Sequence, residues 1–385
     1  MLLDNPFTRD RRVMCEARTL AEAGYDIDLV ALEGEGLPVE EVWNGVRVHR
    51  WLTSDFFDIK RPWHRRQVAA RIAAELPVKV VHAHDLHMLH LACLIRKCNP
   101  GTRIIYDSHE LFHGYPLNLT RQGNLLLWLK SWLIQKYTVF RERMEGSTVD
   151  ALITVNDSLA NVLQKHFRLP DRPLVLKNLP RRQQRQACPE SPRQVFGLSD
   201  DTKILIYAAS NIHVKTKNIE QPIMELGNCE GVALVFVAPP GKGREATQEL
   251  VKRNGFTNVY FQDWVPMEQL ADFLSHADAG VLPTWNKSAS SYWLASDCKL
   301  FDYVQAQLPI LTTRQPEYVT FVEGNGFGVC VNPEVEGAFK RGFFELLDRR
   351  QEFEEPLRLG SKSLVWEEQA PVLVSFYDQF MAGQA

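Results

Sequence analysis

The sequence predicts an α/β chain: two doubly wound parallel-sheet (Rossmann-like) domains facing a cleft. Three observations carry that prediction. Short β-branched runs alternate with amphipathic stretches through both halves, the pattern of parallel strands covered by helices on both faces. At 385 residues the chain exceeds what one core usually organises. The alternation also stops once, across residues 179–200, where Pro180, Pro189, Pro192 and a basic cluster from Arg181 to Arg185 replace any apolar period. The expected organisation is an N-terminal Rossmann-like domain over 1–178, a linker over 179–200, a C-terminal Rossmann-like domain over 201–362 and a closing helix in 363–385.

In the first half, strands are expected at Ile27–Leu32, Val46–Trp51, Val78–His82, Arg103–Tyr106, Ala151–Val155 and Leu174–Leu176, with helices such as Arg12–Ala23 and Ser158–His166 between them. Only Met1–Leu3 precede Asp4-Asn5-Pro6, whereas a strand usually runs about five residues. The opening strand therefore reads as truncated or as begun late. In the second half, strands are expected at Lys203–Tyr207, Val232–Val237, Val259–Phe261, Gly280–Leu282, Ile310–Thr312 and Gly328–Val331. Helical spacing returns at Trp366–Phe380.

Composition narrows the function classes. A hydrophobic fraction of 45% with 24% charged residues is that of a soluble globular chain. A net charge of −3 leaves no global basic field, so nucleic acid is not an expected partner. Seven cysteines without a CxxC pair argue against a disulfide scaffold or structural zinc, and Cys93 and Cys98 read as ordinary residues of one helix. Neither half contains G-x-G-x-x-G, so a nicotinamide dehydrogenase has no support. No apolar run reaches the ~20 residues of a membrane span, and none follows Met1 as in a signal peptide. A cytoplasmic location is expected.

The stretch Ser296-Asp297-Cys298-Lys299-Leu300-Phe301-Asp302-Tyr303, running into Gln307-Leu308-Pro309-Ile310-Leu311-Thr312-Thr313, reads as loop, helix and buried strand. A helix start offers unpaired N–H groups and a positive dipole end, which suits a phosphate. Asp302 lies close enough to that end to accept hydroxyl hydrogen bonds from a ribose. Upstream, Tyr207-Ala208-Ala209-Ser210-Asn211-Ile212-His213 ends a strand and Lys215-Thr216-Lys217-Asn218 precedes a helix. Small residues there let a backbone approach phosphates, and a lysine neutralises them. Pro239-Pro240-Gly241-Lys242-Gly243 lacks the spacing of a P-loop and reads as a surface turn. Phe261-Gln262-Asp263-Trp264-Val265-Pro266 follows a strand, where main-chain groups can pair with a base edge.

The first half offers three strand ends. Asn5-Pro6-Phe7-Thr8-Arg9-Asp10 precedes a helix at the edge where open α/β sheets bind ligands. Asp10 reads either as a helix N-cap or as part of an acceptor or phosphate wall. Val80-Val81-His82-Ala83-His84-Asp85 puts His82 and His84 on one strand face. They could bind metal, satisfy strand-end groups or line the cleft, but no carboxylate or cysteine set accompanies them at ligand spacing. At Ile105-Tyr106-Asp107-Ser108-His109-Glu110-Leu111-Phe112, His109 could hold bound ligands in register without being a general base, or serve as a helix-cap partner. Finally, Leu125–Arg143 mixes Trp128, Trp132, Tyr137 and Phe140 with Lys130, Lys136, Arg141 and Arg143. That suits a membrane headgroup zone, or a helix packed on its own sheet with a solvated basic edge.

Taken together, these stretches resemble retaining glycosyltransferases of family 4 along nearly the whole chain, from Asp4 to Phe380. The Lys299-Leu300-Phe301-Asp302-Tyr303 helix, the His82-Ala83-His84 strand end and the Tyr106-to-Phe112 run are each similar to family segments. The resemblance implies a GT-B fold and transfer of a sugar from a nucleoside diphosphate sugar, UDP- or GDP-linked, to an acceptor hydroxyl in surface polysaccharide or glycan synthesis. No cofactor and no divalent ion are implied. Lys217, Lys299 and the helix start at Cys298 would stabilise the leaving diphosphate, Asp302 would fix the ribose, and Asp297 and His109 would position the sugar. Ser210, Asn211, Trp264, Val265 and Leu300 would complete the donor side. Asn5, Phe7, Thr8, Asp10, His84 and Asp85 would face a glycan or lipid-linked acceptor, with a peripheral membrane contact through 125–143.

Several positions depart from the family pattern. Ala209 and Ser210 replace glycines, Asn211 stands where many members carry arginine, and Ala295 occupies the place of a common first glutamate. A GT-B-fold nucleotide-sugar epimerase and a non-catalytic nucleotide-sugar or glycan-binding protein are therefore the alternatives.

Overall fold

The computed structural model describes residues 1–8, 10–53, 56, 62–76, 78–114, 125–182, 186–212, 217–287 and 289–383. They form two compact units, Met1–Asn178 with Gln369–Ala385, and Leu179–Glu368.

The first unit holds β1 (Asp28–Leu32), β2 (Glu40–Trp43), β3 (Val46–Leu52), β4 (Val80–His84), β5 (Arg103–Ser108), β6 (Ala151–Thr154) and β7 (Leu174–Val175). They lie in the orders β1-β3-β2 and β4-β5-β6-β7. Leu2 joins the two sets by bridging to Val30 and Ala83. Its N–H donates to His82 O at 2.8 Å, and its carbonyl accepts from His84 N at 3.1 Å. Residues 1–3 therefore serve as a minimal opening strand, the Leu2 backbone paired on both sides.

Two expectations need correction here. The β2 strand was not anticipated, and it pairs antiparallel with β3. Its signal was present in Asn44-Gly45, which take φ of 47° and 82°, the left-handed pair of a tight hairpin turn. The third strand was expected at Val78–His82 but lies at Val80–His84, so His84 belongs to the buried strand itself.

The second unit holds β8 (Lys203–Ala208), β9 (Val232–Val237), β10 (Val259–Gln262), β11 (Ala279–Leu282), β12 (Ile310–Thr313) and β13 (Gly328–Val331). They form one sheet in the order β10-β9-β8-β11-β12-β13, and every pair is parallel. Both faces are covered, so the strands read as unbroken apolar runs rather than alternations. The chain order reverses between β8 and β11, and a crevice at the carboxyl ends of such strands is where this architecture takes its ligand. Tyr303 is fully buried at this point; its hydroxyl donates to Val281 O at 3.1 Å and accepts from Ala208 N at 3.3 Å. A Cβ on Gly280 would stand 2.7 Å from the Tyr303 ring, so glycine lets the helix Cys298–Gln305 seat on the sheet.

The segment 179–200 is not a free linker where it is described. Gln186 N donates to Glu268 O at 3.3 Å, Cys188 N donates to Asp272 Oδ2 at 2.8 Å, and Ser191 caps a short helix, Pro192–Val195, with a reciprocal bond to Gln194. The last helix spans Trp366–Met381. Within the first unit its Tyr377 hydroxyl lies 2.7 Å from His82 Nδ1, and its Asp378 accepts from the Tyr25 hydroxyl at 2.5 Å.

Candidate functional site

In the second unit, the loops after β8 and β11 bring Lys217 to Asp297. Lys217 Nζ lies 3.0 and 3.1 Å from the two Asp297 oxygens, Lys299 Nζ lies 3.7 Å from Oδ1, and the Tyr318 hydroxyl donates to Oδ2 at 2.5 Å. All three charged side chains are at most 16% exposed. Burial alone would raise the Asp297 pKa, but Lys217 and Lys299 hold it well below the usual carboxylate range. Burial would likewise deprotonate Lys299, and the Asp297 charge keeps it firmly protonated. Two ammonium groups against one carboxylate leave a net positive charge, and Asp297 is also the N-cap position of the helix Cys298–Gln305. Its side chain makes no capping bond, and the two ammonium groups lie at the positive end of that helix.

The wall beside it depends on a close backbone approach. A Cβ on Gly243 would sit 1.7 Å from Ile212 O, so the helix Lys242–Arg253 and the Ser210-Asn211-Ile212 turn touch only because residue 243 is glycine. The surface-turn reading of Gly241-Lys242-Gly243 is thus corrected: it opens a helix packed against the turn expected to hold phosphate. Arg244, from the same helix, donates to Ala238 O at 2.8 Å and pairs with Asp263, tying the ends of β9 and β10 below the exposed Trp264 and the buried Val265. Residues 213–216, quoted above with Lys217, lie outside the described residues.

In the first unit, His109 is held between two carboxylates. Its Nε2 lies 3.1 Å from Asp107 Oδ2, its Nδ1 lies 3.4 Å from Asp85 Oδ2, and its backbone N–H donates to Asp85 Oδ1 at 3.0 Å. Burial would lower its pKa, but Asp85 and Asp107 push it up to about 10. With both ring nitrogens facing acceptors, the imidazolium is a fixed double donor and not a base. Asp107 is fully buried; burial would raise its pKa, yet Arg12 and His109 hold it well below the usual range. Arg12 forks onto it through Nε and Nη2 at 2.9 and 3.0 Å and also donates to Leu176 O. Asp85 lies at φ 63°, and burial lifts its pKa to about 7. His84 is buried, stacked on His82 at 4.3 Å, and lies 3.5 Å from His109.

Around this centre the expected acceptor-side residues divide. Asp10 is the N-cap of the helix Arg11–Glu22, accepting from Val13 N at 3.2 Å, and it also accepts from Asn5 Nδ2. Phe7 takes φ 57°, is buried, and packs edge-on against Trp43 at 5.1 Å, so its ring serves the core. Thr8 is exposed. The histidine pair does gain carboxylates: atoms of Glu16, His82, His84 and Asp107 lie within 4.8 Å of one another, brought together from a helix and two strands. The Arg12 guanidinium, 3.1 Å from Glu16, already places a positive charge beside that cluster. Asp302 stands on the helix Cys298–Gln305 and is half-buried. Arg12, Asp107, Tyr318 and Arg244 were not singled out from the sequence, although Asp107 lies inside the quoted strand end.

The helix Leu125–Gly146 differs from a packed helix with a basic edge. Leu129, Leu133, Ile134, Tyr137, Phe140 and Met144 are 39% to 61% exposed, so its open side is apolar as well as basic. His90 Nδ1 meets Glu145 Oε1 at 2.7 Å on the side facing the helix Asp85–Cys98. Among the described residues no helix is long and apolar enough to cross a membrane.

Residues 11–178 match the family model described as Glycosyltransferase Family 4. No curated protein sequence matches the chain. Among solved structures it is similar to a sucrose-phosphate synthase from Thermosynechococcus elongatus, at 16% identity and a TM-score of 0.77 over 99% of this chain and 98% of that one. It is similar to Anabaena HepE in complex with UDP-glucose, at 10% identity and a TM-score of 0.71 over 98% of each chain. It also resembles a UDP-forming α,α-trehalose-phosphate synthase from Burkholderia xenovorans in complex with glucose-6-phosphate, at 13% identity and a TM-score of 0.68 over 100% and 99%. These likenesses show the GT-B fold.

Proposed function

We propose that the chain, which has the GT-B fold and matches the family 4 glycosyltransferase model over residues 11–178, moves a sugar, with retention, from a nucleoside diphosphate sugar to an acceptor hydroxyl. The observation that carries the donor half is the shared carboxylate: Lys217 and Lys299 keep one net positive charge at the start of the Cys298 helix. In the reaction, negative charge grows on the departing diphosphate, and fixed cations there favour the transition state over the ground state. Lys217 and Lys299 supply that charge, so this reading needs no divalent ion. Asp302 serves the ribose from the same helix. The His109 imidazolium presents a fixed positive charge toward sugar or acceptor from a position that Asp85 and Asp107 restrain. Asp297 positions the two lysines rather than contacting the sugar, since both of its oxygens are already engaged.

UDP- or GDP-sugars are the donor class we favour; UDP is supported by the UDP-glucose bound to HepE. A growing glycan or lipid-linked oligosaccharide is the proposed acceptor, met by the cytoplasmic protein at the inner membrane face. The exposed apolar and basic side of Leu125–Gly146 supports that placement.

The test is thermal stabilisation by UDP, GDP, ADP, dTDP and CMP in chelator. A ligand at ~100 times its dissociation constant adds roughly 2.7 kcal/mol, a readable melting shift. One nucleoside diphosphate stabilising the wild type but not Lys299→Ala is the expected result. No shift with any of them would sink the donor-site assignment.

A further inference from the structure

We propose that His113, Glu142 and His166 form a binding site for a divalent transition-metal ion of the zinc class, separate from the sugar-transfer machinery. The three come from different elements of the first unit: the turn Phe112–Gly114, the helix Leu125–Gly146 and the helix Asp157–Phe167. Each offers one ligand atom, and these atoms lie within 4.8 Å of one another. His113 Nδ1 is 3.7 Å from Glu142 Oε2.

The independent observation is the state of those atoms. Glu142 is fully buried, and neither of its oxygens has a hydrogen-bond partner. His113 Nδ1 and His166 Nε2 are also buried without a partner. A carboxylate taken from water needs compensation, and orphaned donors and acceptors are uncommon in interiors. Among the described residues, no lysine or arginine forms an ion pair with Glu142. The Glu16-His82-His84-Asp107 cluster differs, because Arg12 stands within ion-pair distance of both of its carboxylates.

Two imidazoles and one carboxylate make a three-ligand set that suits zinc and leaves a fourth position open. Tetrahedral bonds near 2.0 Å bring ligand atoms to roughly 3.3 Å, so capture needs only a modest contraction. The rings of His113 and His166 now stack at 3.9 Å with 9° between their planes, and one must swing out of the stack to converge on an ion. Bound there, the ion clips together two helices and the turn that follows the His109 strand end.

The full chain, stripped with chelator, is titrated with Zn(II), and with Co(II) as a spectroscopic probe. One ion per chain, a rise in melting temperature and visible Co(II) ligand-field bands are expected. Disturbing even an outer-shell partner usually weakens a metal site about 10–100-fold, so Glu142→Gln and His166→Asn should each cost at least that. His166 is partly exposed, so its variant decides the matter if Glu142→Gln does not fold. Absence of binding, or binding unchanged in His166→Asn or transferred to dependence on His82, would overturn the assignment.

Discussion

Lys217 closes on Asp297 across 80 residues of chain, with Nζ at 3.0 and 3.1 Å from the two carboxylate oxygens. Removing one partner of a buried pair leaves the other uncompensated, at a cost of about 3 kcal/mol or more. Asp297→Asn leaves two ammonium groups without their counter-charge, so its melting temperature should fall well below wild type. Adding the nucleoside diphosphate that binds should restore more stability to this variant than it adds to wild type. Because the folded pKa of Asp297 is depressed, its contribution is present above the unfolded value of about 3.8 and is lost as pH falls through the folded one. The Asp297→Asn penalty should therefore shrink in strong acid, and a penalty constant with pH would contradict the pairing.

Lys217 and Lys299 should differ from Asp297 in kind. Charge-assisted hydrogen bonds contribute about 1.5–3 kcal/mol, or roughly 10- to 150-fold in rate when made in the transition state. Lys299→Ala and Lys217→Ala should each lower kcat/KM by that order. Steady-state kinetics separate the cases: a loss carried in kcat marks stabilisation of the leaving diphosphate, whereas a loss confined to KM marks uniform donor binding.

His109 makes a pH prediction of its own. Its pKa is raised from 6.5 to about 10 in the folded chain, so its stabilisation is full below pH 6.5 and is lost as pH rises through 10. Burial also raises Asp85 from 3.8 to about 7 and Glu16 from 4.5 to about 8, and those shifts lower stability with pH too, but over the earlier window between each unfolded and folded value. Wild-type stability should decline from pH 6.5 upward, by at most about 1.4 kcal/mol per pH unit from one proton. His109→Gln should flatten the part of the curve between pH 7 and 10. Denaturant titrations at several pH values check it, and equal slopes in the two proteins would show that the ring is not held protonated.

What the sequence made legible follows a physical line. The parallel strands of the second unit are continuous apolar runs bounded by turns, and a local pattern of that kind needs no tertiary information. Lys217, Asp297 and Lys299 were legible as separate motifs because each sits at a strand end or a helix start. Their pairing was not, since it depends on two loops returning to the same edge of one sheet. Asp107 and Arg12 were overlooked for the opposite reason. A buried carboxylate in a strand reads like any polar strand-end residue until its partner arrives from another helix. The β2 hairpin was missed although Asn44-Gly45 signals it, because its strand is half exposed and lacks an apolar run. The apolar side of Leu125–Gly146 was visible as composition, but only the fold shows which of its side chains stay uncovered.

Gly243 should tolerate no side chain. A methyl group there would overlap Ile212 O, which is main chain and cannot swing aside. Overpacking of this kind costs about 1–3 kcal/mol, and relief requires the Ser210–Ile212 turn to move. Gly243→Ala should thus lower the melting temperature and weaken nucleoside diphosphate binding together. Gly241→Ala, with open space around its Cβ, is the control and should leave binding close to wild type. Equal behaviour of the two variants would show that the Gly243 contact does not shape the donor wall.

The open side of Leu125–Gly146 gives the last prediction. Exposed apolar residues at 129, 133, 137, 140 and 144 follow helical spacing and form one stripe, while Lys130, Lys136 and Arg143 lie on the same helix. Apolar burial and basic attraction to anionic lipid are separate contributions, the second about 1 kcal/mol per lysine or arginine near the surface. The protein should sediment with vesicles containing anionic lipid, and binding should weaken as salt screens the charges. Leu133→Glu with Phe140→Glu should abolish sedimentation at any salt concentration, because it removes the apolar contribution and adds repulsion. Lys130→Glu with Lys136→Glu should leave a weaker binding that added salt no longer weakens further. Since these side chains are exposed, both double variants should melt within a few degrees of wild type. Vesicle binding that survives Leu133→Glu with Phe140→Glu would place the membrane contact elsewhere, and a collapse in melting temperature would mean that the stripe is covered by the protein itself.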